Sequence, residues 1–199
     1  GKQSLYRQIN ELREHVLPTL GFKNILHLEG YEADDLIAYC TVSNPKDRFV
    51  IVSTDTDLWQ LITRKVTIWN PITKYELTKD RFMAEHGFEP KKWLKIKSLM
   101  GDKGDNIPGI PNVGEATAVK IMKAQECPEQ HTKHLCDLAE KHSHVTALNT
   151  KLMKLPSPLL ETPRCCVDLL EDDAGRSRET WEAICQEYGL HTLMNKPPL

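Results

Sequence analysis

The apolar run Phe49–Val52 constrains the fold of this chain more than any other feature of the sequence. Four consecutive apolar residues are typical of a strand that is covered on both faces. The run follows helical spacing over Tyr31–Val42, and the stretch Phe22–Leu28 ahead of that helix is a second strand candidate. A strand, a helix and a strand in this order predict a parallel α/β unit.

The remainder of the chain is mainly helical in pattern. Two short stretches, Val66–Trp69 and Tyr75–Leu77, flank Asn70-Pro71 and predict a hairpin or a pair of edge strands that ends the sheet. We therefore predict a partial parallel sheet flanked by helices over residues 1–80 and a helical region over residues 81–199. The further predicted elements are helices at Leu5–Leu17, Thr78–Glu85, Pro90–Met100, Pro128–Leu155 and Thr180–Tyr188, and a strand at Cys165–Leu169.

Composition excludes a disordered acidic tail and a strongly basic, histone-like protein. Hydrophobic residues make up 40% and charged residues 27%, with 26 Lys and Arg against 28 Asp and Glu, as in globular proteins. No apolar run approaches the roughly 18 residues of a membrane span, and the first residues show no signal peptide, so we expect a cytoplasmic protein. Its six cysteines are expected to stay reduced. One local group of side chains could in principle bind zinc: Cys127, His131, His134 and Cys136. Their spacing matches no common structural zinc site, so we interpret them as ordinary helix residues.

Seven carboxylates stand at the ends of predicted elements rather than in solvated charge runs. Each group alone has a structural explanation, because acids complement the start of a helix dipole, cap helices and occur in turns. The three groups are Glu32, Asp34 and Asp35 at the start of a helix, Asp55 and Asp57 directly after the Phe49–Val52 strand, and Asp102 and Asp105 in a glycine-rich loop.

Together these groups favour a metal site. Their charges would repel one another unless cations neutralised them, and oxygen ligands alone select Mg²⁺ or Mn²⁺. Asp102 and Asp105 are three residues apart among glycines, so they can converge in a tight turn. The second group is not an EF-hand loop, because Trp59 and Gln60 stand where a third ligand and a glycine are required. The constellation suits two-metal hydrolysis of a phosphodiester.

A further motif, Gly109–Ala118, places an apolar-Pro-x-Val-Gly turn immediately before a helix, as in a helix-hairpin-helix. Glycine lets the backbone approach a phosphate, and helix N-termini favour anions. Seven lysines and three acids lie between Lys91 and Lys123, which fits sequence-independent gripping of a duplex; lysines that merely solvate helices are the alternative. The candidate DNA-binding residues are Lys103, Gly109, Ile110, Asn112, Val113, Gly114, Thr117, Lys120 and Lys123.

Three motifs occur in a fixed order, namely Glu32–Asp35, Ser53–Asp57 and Met100–Gly109. Their combination resembles the 5′-nuclease family, which includes phage 5′–3′ exonucleases, flap endonucleases and the 5′-exonuclease domain of bacterial DNA polymerase I. The resemblance extends from about Tyr6 to Leu193. It implies that residues 1–80 form the C-terminal half of a PIN-like catalytic domain and that residues 81–199 contain a helix-three-turn-helix.

The resemblance also implies a function. The expected activity is metal-dependent hydrolysis of phosphodiesters near 5′ ends of duplex or branched DNA, in replication or repair, in the cytoplasm of a bacterium or a phage-infected cell. The Gly101–Lys123 stretch would hold a K⁺ through loop carbonyls and grip the duplex. The implied ligands of two Mg²⁺ or Mn²⁺ ions are Glu32, Asp34 and Asp35 for the first, Asp55 near both, and Asp57, Asp102 and Asp105 for the second.

The chain also departs from the family pattern. Family members carry, ahead of the Leu5–Leu17 helix, a strand with a metal-binding aspartate, a further acidic ligand and a basic helical arch. This sequence begins after them, so we expect weak or absent catalysis by these 199 residues alone and a missing segment or companion chain as a partner. Asn112 replaces the usual first glycine of the hairpin, which asparagine tolerates at positive φ. Ala116 stands where the family often has lysine.

Two other functions remain open at this point. A non-catalytic module could bind duplex or branched DNA through the hairpin and keep only a remnant of the metal site. An RNA-cleaving toxin of the related PIN type would explain the carboxylates but not the helix-hairpin-helix. Titration with a divalent metal separates the nuclease from the binding module.

Overall fold

The computed structural model describes residues 2–127, 129–166 and 177–196. The chain divides into two compact units. The terminal unit combines Gly1–Glu29 with Asp168–Leu199, and the central unit is Gly30–Val167. All the candidate site residues lie in the central unit. The domain boundary that we predicted near residue 80 is a different division from these two units, and it stays a prediction.

The regular elements in the described part of the terminal unit are helices. The predicted Leu5–Leu17 helix is present but is interrupted by a π-helical turn. The prediction of a strand at Phe22–Leu28 is wrong, because this segment has no regular secondary structure. An extended segment becomes a strand only where a neighbouring strand supplies hydrogen-bond partners. The elements are α1 (Lys2–Glu11), the π turn (Leu12–Val16), α2 (Leu17–Thr19) and α9 (Arg178–Glu187).

The central unit begins with helix α3 (Ala33–Ser43), and a three-stranded sheet follows it. Strand β1 (Phe49–Val52) runs parallel to β2 (Val66–Asn70), and β2 pairs antiparallel with β3 (Tyr75–Leu77), which confirms the predicted hairpin. The prediction that β1 is covered on both faces is wrong. Its alternate residues Val50 and Val52 are 61% and 64% exposed, and β2 is its only strand neighbour among the described residues.

Helices follow the sheet, and the first of them is capped at both ends. Thr78 accepts a hydrogen bond from Arg81 N at 3.3 Å at the start of the first, and Gly87 ends that helix with φ +74°. The helices are α4 (Lys79–His86), α5 (Trp93–Met100), α6 (Glu115–Glu126), α7 (Lys133–Lys141) and α8 (Ser143–Met153). The short elements are β4 (Gly101–Asp102), β5 (Ile107–Pro108) and 3₁₀ turns at Asp57–Leu61, Pro90–Lys92, Gln130–Thr132 and Arg164–Cys166.

Two predicted elements differ from the structure in this region. The helical region predicted over Pro128–Leu155 contains two helices, α7 and α8, which meet at His142. The strand predicted at Cys165–Leu169 begins in a 3₁₀ turn that ends at Cys166, and its later residues lie outside the described chain. No helix in the described ranges has the length and apolarity needed to cross a membrane.

Aromatic side chains form the core beneath the site. Trp59, in the 3₁₀ turn after β1, packs against Trp93 of α5 with ring centroids 4.8 Å apart and meets Phe82 of α4 edge-on at 5.8 Å. Phe82 and Trp93 are buried. Such pairs stabilise beyond the apolar area that they bury. This packing holds the turn that contains Asp57 against α5, close to the loop that follows α5.

Candidate metal centre

Asp57, Asp102 and Asp105 converge on one point. Each offers one carboxylate oxygen, and these oxygens all lie within 4.8 Å of one another. Within the described ranges this is the one group of three or more His, Cys, Asp or Glu side chains placed closely enough to share a metal ion. The predicted convergence of Asp102 and Asp105 is confirmed, and Asp57 joins them from the turn after β1.

The loop that carries Asp102 and Asp105 is closed by a close backbone approach. Strands β4 and β5 pair antiparallel, with Gly101 opposite Pro108. Gly101 has φ +74°, and a Cβ there would lie 2.3 Å from Gly109 N. A Cβ on Gly109 would lie 2.1 Å from Met100 O. Only glycine fits these two positions, so the two glycines permit the tight turn that presents the aspartates.

Asp102 is held by donors on both of its oxygens. Oδ1 accepts from Gly104 N at 2.7 Å and from Asp105 N at 3.4 Å, and Oδ2 accepts from Lys97 Nζ. The hydrogen bond from the Lys97 ammonium is the main cause that holds the pKa of Asp102 below its ordinary value. The carboxylate is therefore charged and fixed in orientation over the loop.

Asp57 occupies a more buried environment. Its amide donates to Asp55 Oδ1 at 2.8 Å, which fixes the backbone of the turn. Lys97 Nζ lies 2.6 Å from Asp57 Oδ1 as an ion pair, and that buried oxygen receives no hydrogen bond of good geometry from the described residues. Burial raises the pKa of Asp57, and the Lys97 ammonium opposes this only in part.

The carboxylates at the start of α3 have three different environments. Glu32 is exposed, whereas Asp34 is half-buried. Burial, followed by the charges of Asp55 and Asp57, raises the pKa of Asp34 to about 6, so this carboxyl faces the same acidic region. Asp35 is buried, and its Oδ1 accepts a hydrogen bond from Ser157 N at 2.7 Å. Asp35 thus anchors a distant segment, and its role as a metal ligand stays a prediction.

The predicted DNA-binding hairpin lies next to this cluster. Asn112 has φ +61°, the conformation predicted for an asparagine in place of glycine. Ile110 and Val113 are buried in the hydrophobic core, so their contribution to binding is limited to backbone groups. Gly109 and Thr117 are half-buried, and the exposed residues of the set are Lys103, Asn112, Gly114, Lys120 and Lys123.

The lysine-rich stretch is less basic on its surface than its sequence indicates. Lys91 Nζ lies 2.6 Å from Glu89 Oε2, and Lys92 Nζ lies 2.8 Å from Glu126 Oε2. Lys97, one of the seven lysines counted in this stretch, does not lie on the surface, because its side chain is buried between two aspartates. Its position four residues after Trp93, on the same helical face, is the signal that could have shown this.

Comparisons with known proteins decide the family. The family model described as the 5′-3′ exonuclease N-terminal resolvase-like domain matches residues 2–88, and the model described as the C-terminal SAM fold matches residues 88–162. The chain belongs to the 5′–3′ exonuclease family. A 5′-3′ exonuclease of Aquifex aeolicus is 44% identical over 101 residues, which are 50% of this chain and 35% of that protein. DNA polymerase I of Bacillus subtilis is 34% identical over 183 residues, which are 85% of this chain and 20% of that protein.

Solved structures show the same fold. A bacteriophage T5 protein co-crystallised with metal ions superposes with a TM-score of 0.66 at 20% identity, over 98% of this chain and 68% of that one. The T5 flap endonuclease in a pseudo-enzyme-product complex with DNA and metal ions gives 0.57 at 21% identity, over 85% and 60%. The predicted fold class is confirmed: an α/β chain in which a partial sheet flanked by helices is followed by a helical region. The chain spans about a third of the Aquifex relative and a fifth of the Bacillus one.

The residues of this family member fit a divalent cation. The ligand set contains only carboxylate oxygens, which Mg²⁺ and Mn²⁺ prefer. Asp57 Oδ1 is buried and lies 2.6 Å from the Lys97 ammonium, so a bound cation would share this oxygen with the lysine. Asp105 is exposed and opens the cluster to solvent. The cluster is therefore both acidic enough and open enough to take an ion.

Proposed function

We propose that this chain provides the nuclease centre of a metal-dependent 5′-nuclease that hydrolyses phosphodiesters near 5′ ends of duplex or branched DNA. The observation that carries the proposal is the convergence of Asp57, Asp102 and Asp105 within 4.8 Å, beside a glycine hairpin that opens a helix. Because the metal site and the hairpin lie on neighbouring loops, DNA bound by the hairpin would have a phosphodiester close to the metal site. The proposed setting is replication or repair in the cytoplasm of a bacterium or a phage-infected cell.

Two Mg²⁺ or Mn²⁺ ions are proposed as cofactors. When bound, they would activate a water molecule and neutralise the charge of the leaving oxygen. Lys97 would fix Asp57 and Asp102 in their present orientations. Asp34, which faces the charges of Asp55 and Asp57, supports a second site on the α3 side. The proposed ligands are Glu32, Asp34 and Asp35 for one ion, Asp55 near both, and Asp57, Asp102 and Asp105 for the other.

The hairpin and the start of α6 are proposed to hold the DNA backbone. Gly114 precedes α6 with φ −97°, a conformation open to most residues, and a Cβ there would meet nothing within 4 Å. The fold alone therefore does not require glycine at this position, whereas a phosphate close to the backbone would. We also propose that carbonyls of the same loop hold a K⁺.

A further strand is proposed to complete the sheet. In the described chain, β1 pairs only with β2, and its exposed Val50 and Val52 are apolar. An edge with unpaired backbone groups and apolar side chains is suited to take another strand. A preceding segment of the protein, or a companion chain, would supply that strand together with additional acidic and basic groups.

The test is cleavage of a labelled 5′-flap substrate with Mg²⁺ or Mn²⁺. The chain is assayed alone and with a family-like N-terminal segment added, each beside the Asp102→Asn/Asp105→Asn variant. Metal-dependent cleavage by either version, lost in the variant, supports the proposal. Strong cleavage by the short chain would show that no further strand is needed. Absence of cleavage in both versions contradicts the nuclease function.

One observation favours the second candidate, a non-catalytic module that binds duplex or branched DNA. Both oxygens of Asp102 are already satisfied by Lys97 and backbone amides, as in an acidic cluster that only supports a loop. Such a module would bind DNA with the same affinity in EDTA and in Mn²⁺. The nuclease proposal requires that Mn²⁺ bind to the cluster.

A further inference from the structure

Helix α8 contributes no carboxylate to the cluster, yet one of its side chains holds both ends of the loop that carries Asp102 and Asp105. Asn149 is 1% exposed. Its Nδ2 donates to Ser98 O at 3.0 Å and to Pro108 O at 2.8 Å. Ser98 lies in the last turn of α5 and Pro108 ends β5, so a single amide joins the entry of the loop to its exit.

The end of α8 is tied in the same way to the turn that carries Asp57. Gln60 Nε2 donates to Asp57 O at 2.9 Å and to Met153 O at 3.0 Å. Its Oε1 accepts from Leu155 N at 3.0 Å. One carboxamide thus uses donors and acceptor together to fix the Asp57 turn to the last residue of α8 and the segment beyond.

We propose that Asn149 and Gln60 are positioning residues that set the separation between Asp57 and the Asp102–Asp105 pair, with α8 as their common support. This inference rests on the proposed function, in which the three carboxylates share one divalent ion. The carboxylates come from two separate loops, and the spacing between those loops decides whether the oxygens meet. Mg²⁺ in particular requires near-ideal ligand geometry, so a small shift between the loops weakens binding.

Hydrogen-bond energetics explain why amides are used at these positions. Each amide donates to backbone carbonyl groups in partly or fully buried surroundings, where a polar group left without a partner is costly. Ser98 O and Pro108 O flank the loop of Asp102 and Asp105, and Asp57 O lies in the turn that carries Asp57. These bonds therefore act directly on the positions of the two loops. Residues that orient metal ligands from outside typically change metal affinity by about 10- to 100-fold when they are replaced.

The experiment compares Asn149→Leu and Gln60→Met with a matched control. Both substitutions keep a similar side-chain size and remove every donor. The control, Leu77→Ala, removes buried apolar volume on β3 and so lowers stability without touching either loop. Mn²⁺ affinity is measured by calorimetry on the full chain at a temperature where all variants are folded. A second readout, taken in EDTA, is the exchange rate of the Gly104 and Asp105 amides, which donate to Asp102 Oδ1.

We expect each positioning variant to bind Mn²⁺ about tenfold more weakly and the control to match the wild type. The Gly104 and Asp105 amides should exchange faster in Asn149→Leu than in the control Leu77→Ala. Affinity and exchange equal to those of the control would overturn the inference. Should Asn149→Leu fail to fold, Asn149→Ser, which keeps one donor, and Gln60→Met give the same comparison.

The two proposals fail in different ways. A wild-type chain that does not bind Mn²⁺, or that binds it equally well after Asp102→Asn/Asp105→Asn, contradicts the proposed function. In that case amide exchange in EDTA still decides whether Asn149 fixes the loop. Wild-type binding that is lost in the aspartate variant but unchanged in both positioning variants contradicts only the further inference.

Discussion

Lys97 Nζ lies 2.6 Å from Asp57 Oδ1, and the same ammonium donates to Asp102 Oδ2. The Lys97 side chain is only 6% exposed. Burial alone would lower the pKa of Lys97, but its attraction to Asp102 and Asp57 outweighs burial and raises it. The lysine is therefore a fixed cation that balances part of the acidic cluster, and the remaining negative charge suits one divalent ion.

Removal of this cation should destabilise the metal-free protein. We expect Lys97→Met to lower the free energy of unfolding by about 3 kcal/mol in EDTA, because two partly buried carboxylates would face each other without a counter-charge. Mn²⁺ should restore more stability to the variant than to the wild type, since the ion supplies the missing positive charge. Urea unfolding at neutral pH, with EDTA or Mn²⁺, measures both effects.

An exposed lysine provides the control for this variant. Lys91 is 76% exposed and pairs with Glu89 at the surface, so Lys91→Met should cost less than about 1 kcal/mol. A cost for Lys97→Met as small as that of Lys91→Met would show that the buried ion pair contributes little.

Asp34 should give the metal-free protein an unusual pH dependence. Its folded pKa of about 6 lies above the ordinary value of 3.8, mainly through burial. The folded state therefore loses stability as the pH rises from about 4 to about 6, and the loss is complete above that range. The shift corresponds to about 3 kcal/mol, which we reduce to about 1 kcal/mol because the group is half-exposed. Asp34→Asn should raise stability in EDTA by that amount at pH 7.5, and the gain should shrink towards pH 4.5.

Thermal unfolding of the wild type and Asp34→Asn across this pH range tests the sign. A loss of stability at pH 7.5 would mean that favourable contacts hold the Asp34 carboxylate instead. The same variant should bind Mn²⁺ more weakly, since it removes a charge that faces Asp55 and Asp57.

The sequence predicted correctly those elements that are determined by residues within or next to the element itself. The hairpin at Val66–Leu77 and the Thr78-capped helix are encoded within a few residues, and both are present. Phe22–Leu28 has the composition of a strand but no described strand beside it. Exposure of Val50 and Val52 likewise depends on which elements lie next to β1, and a four-residue apolar run does not specify that.

In the candidate site, too, contacts within one loop could be predicted from the sequence, whereas contacts between distant residues could not. Asp102 and Asp105 converge because they are three residues apart in one turn, which spacing alone predicts. The bond from Ser157 N to Asp35 Oδ1 joins residues far apart in the sequence, and no local pattern indicates it. Lys97 counts among the basic residues of its stretch by sequence, but its helical position places it in the buried part of the protein.

The cluster should lose Mn²⁺ when its loop aspartates are neutralised. Asp102→Asn/Asp105→Asn removes two charges with little change in volume, so we expect no measurable Mn²⁺ binding at the Asp57 site by calorimetry. Asp137→Asn/Glu140→Gln, two exposed acids of α7, changes the net charge equally and should leave the affinity unchanged. Equal affinity in the two double variants would mean that Mn²⁺ binds elsewhere.

Two glycines should respond in opposite ways to a side chain. At Gly101 a Cβ would lie 2.3 Å from Gly109 N at φ +74°, so Gly101→Ala should lower stability and distort the metal loop. At Gly114 a Cβ meets nothing within 4 Å, so Gly114→Val should fold with nearly unchanged stability but bind duplex DNA more weakly. Unfolding midpoints and binding anisotropy separate the two. Undiminished DNA binding by Gly114→Val would contradict a phosphate contact at the start of α6.

The salt dependence of DNA binding should identify the lysines that contact phosphates. Lys120 and Lys123 are exposed and make no ion pair with any described residue, whereas Lys91 and Lys92 are already paired with Glu89 and Glu126. Each phosphate contact contributes about 0.9 to the slope of log affinity against log salt. Lys120→Ala/Lys123→Ala should therefore reduce that slope by about two units, and Lys91→Ala/Lys92→Ala by much less, since these lysines release few counterions from DNA. Fluorescence anisotropy of a labelled duplex over a range of KCl concentrations gives both slopes. Equal reductions in the two variants would mean that DNA is attracted by the overall charge of this region rather than held at the hairpin and α6.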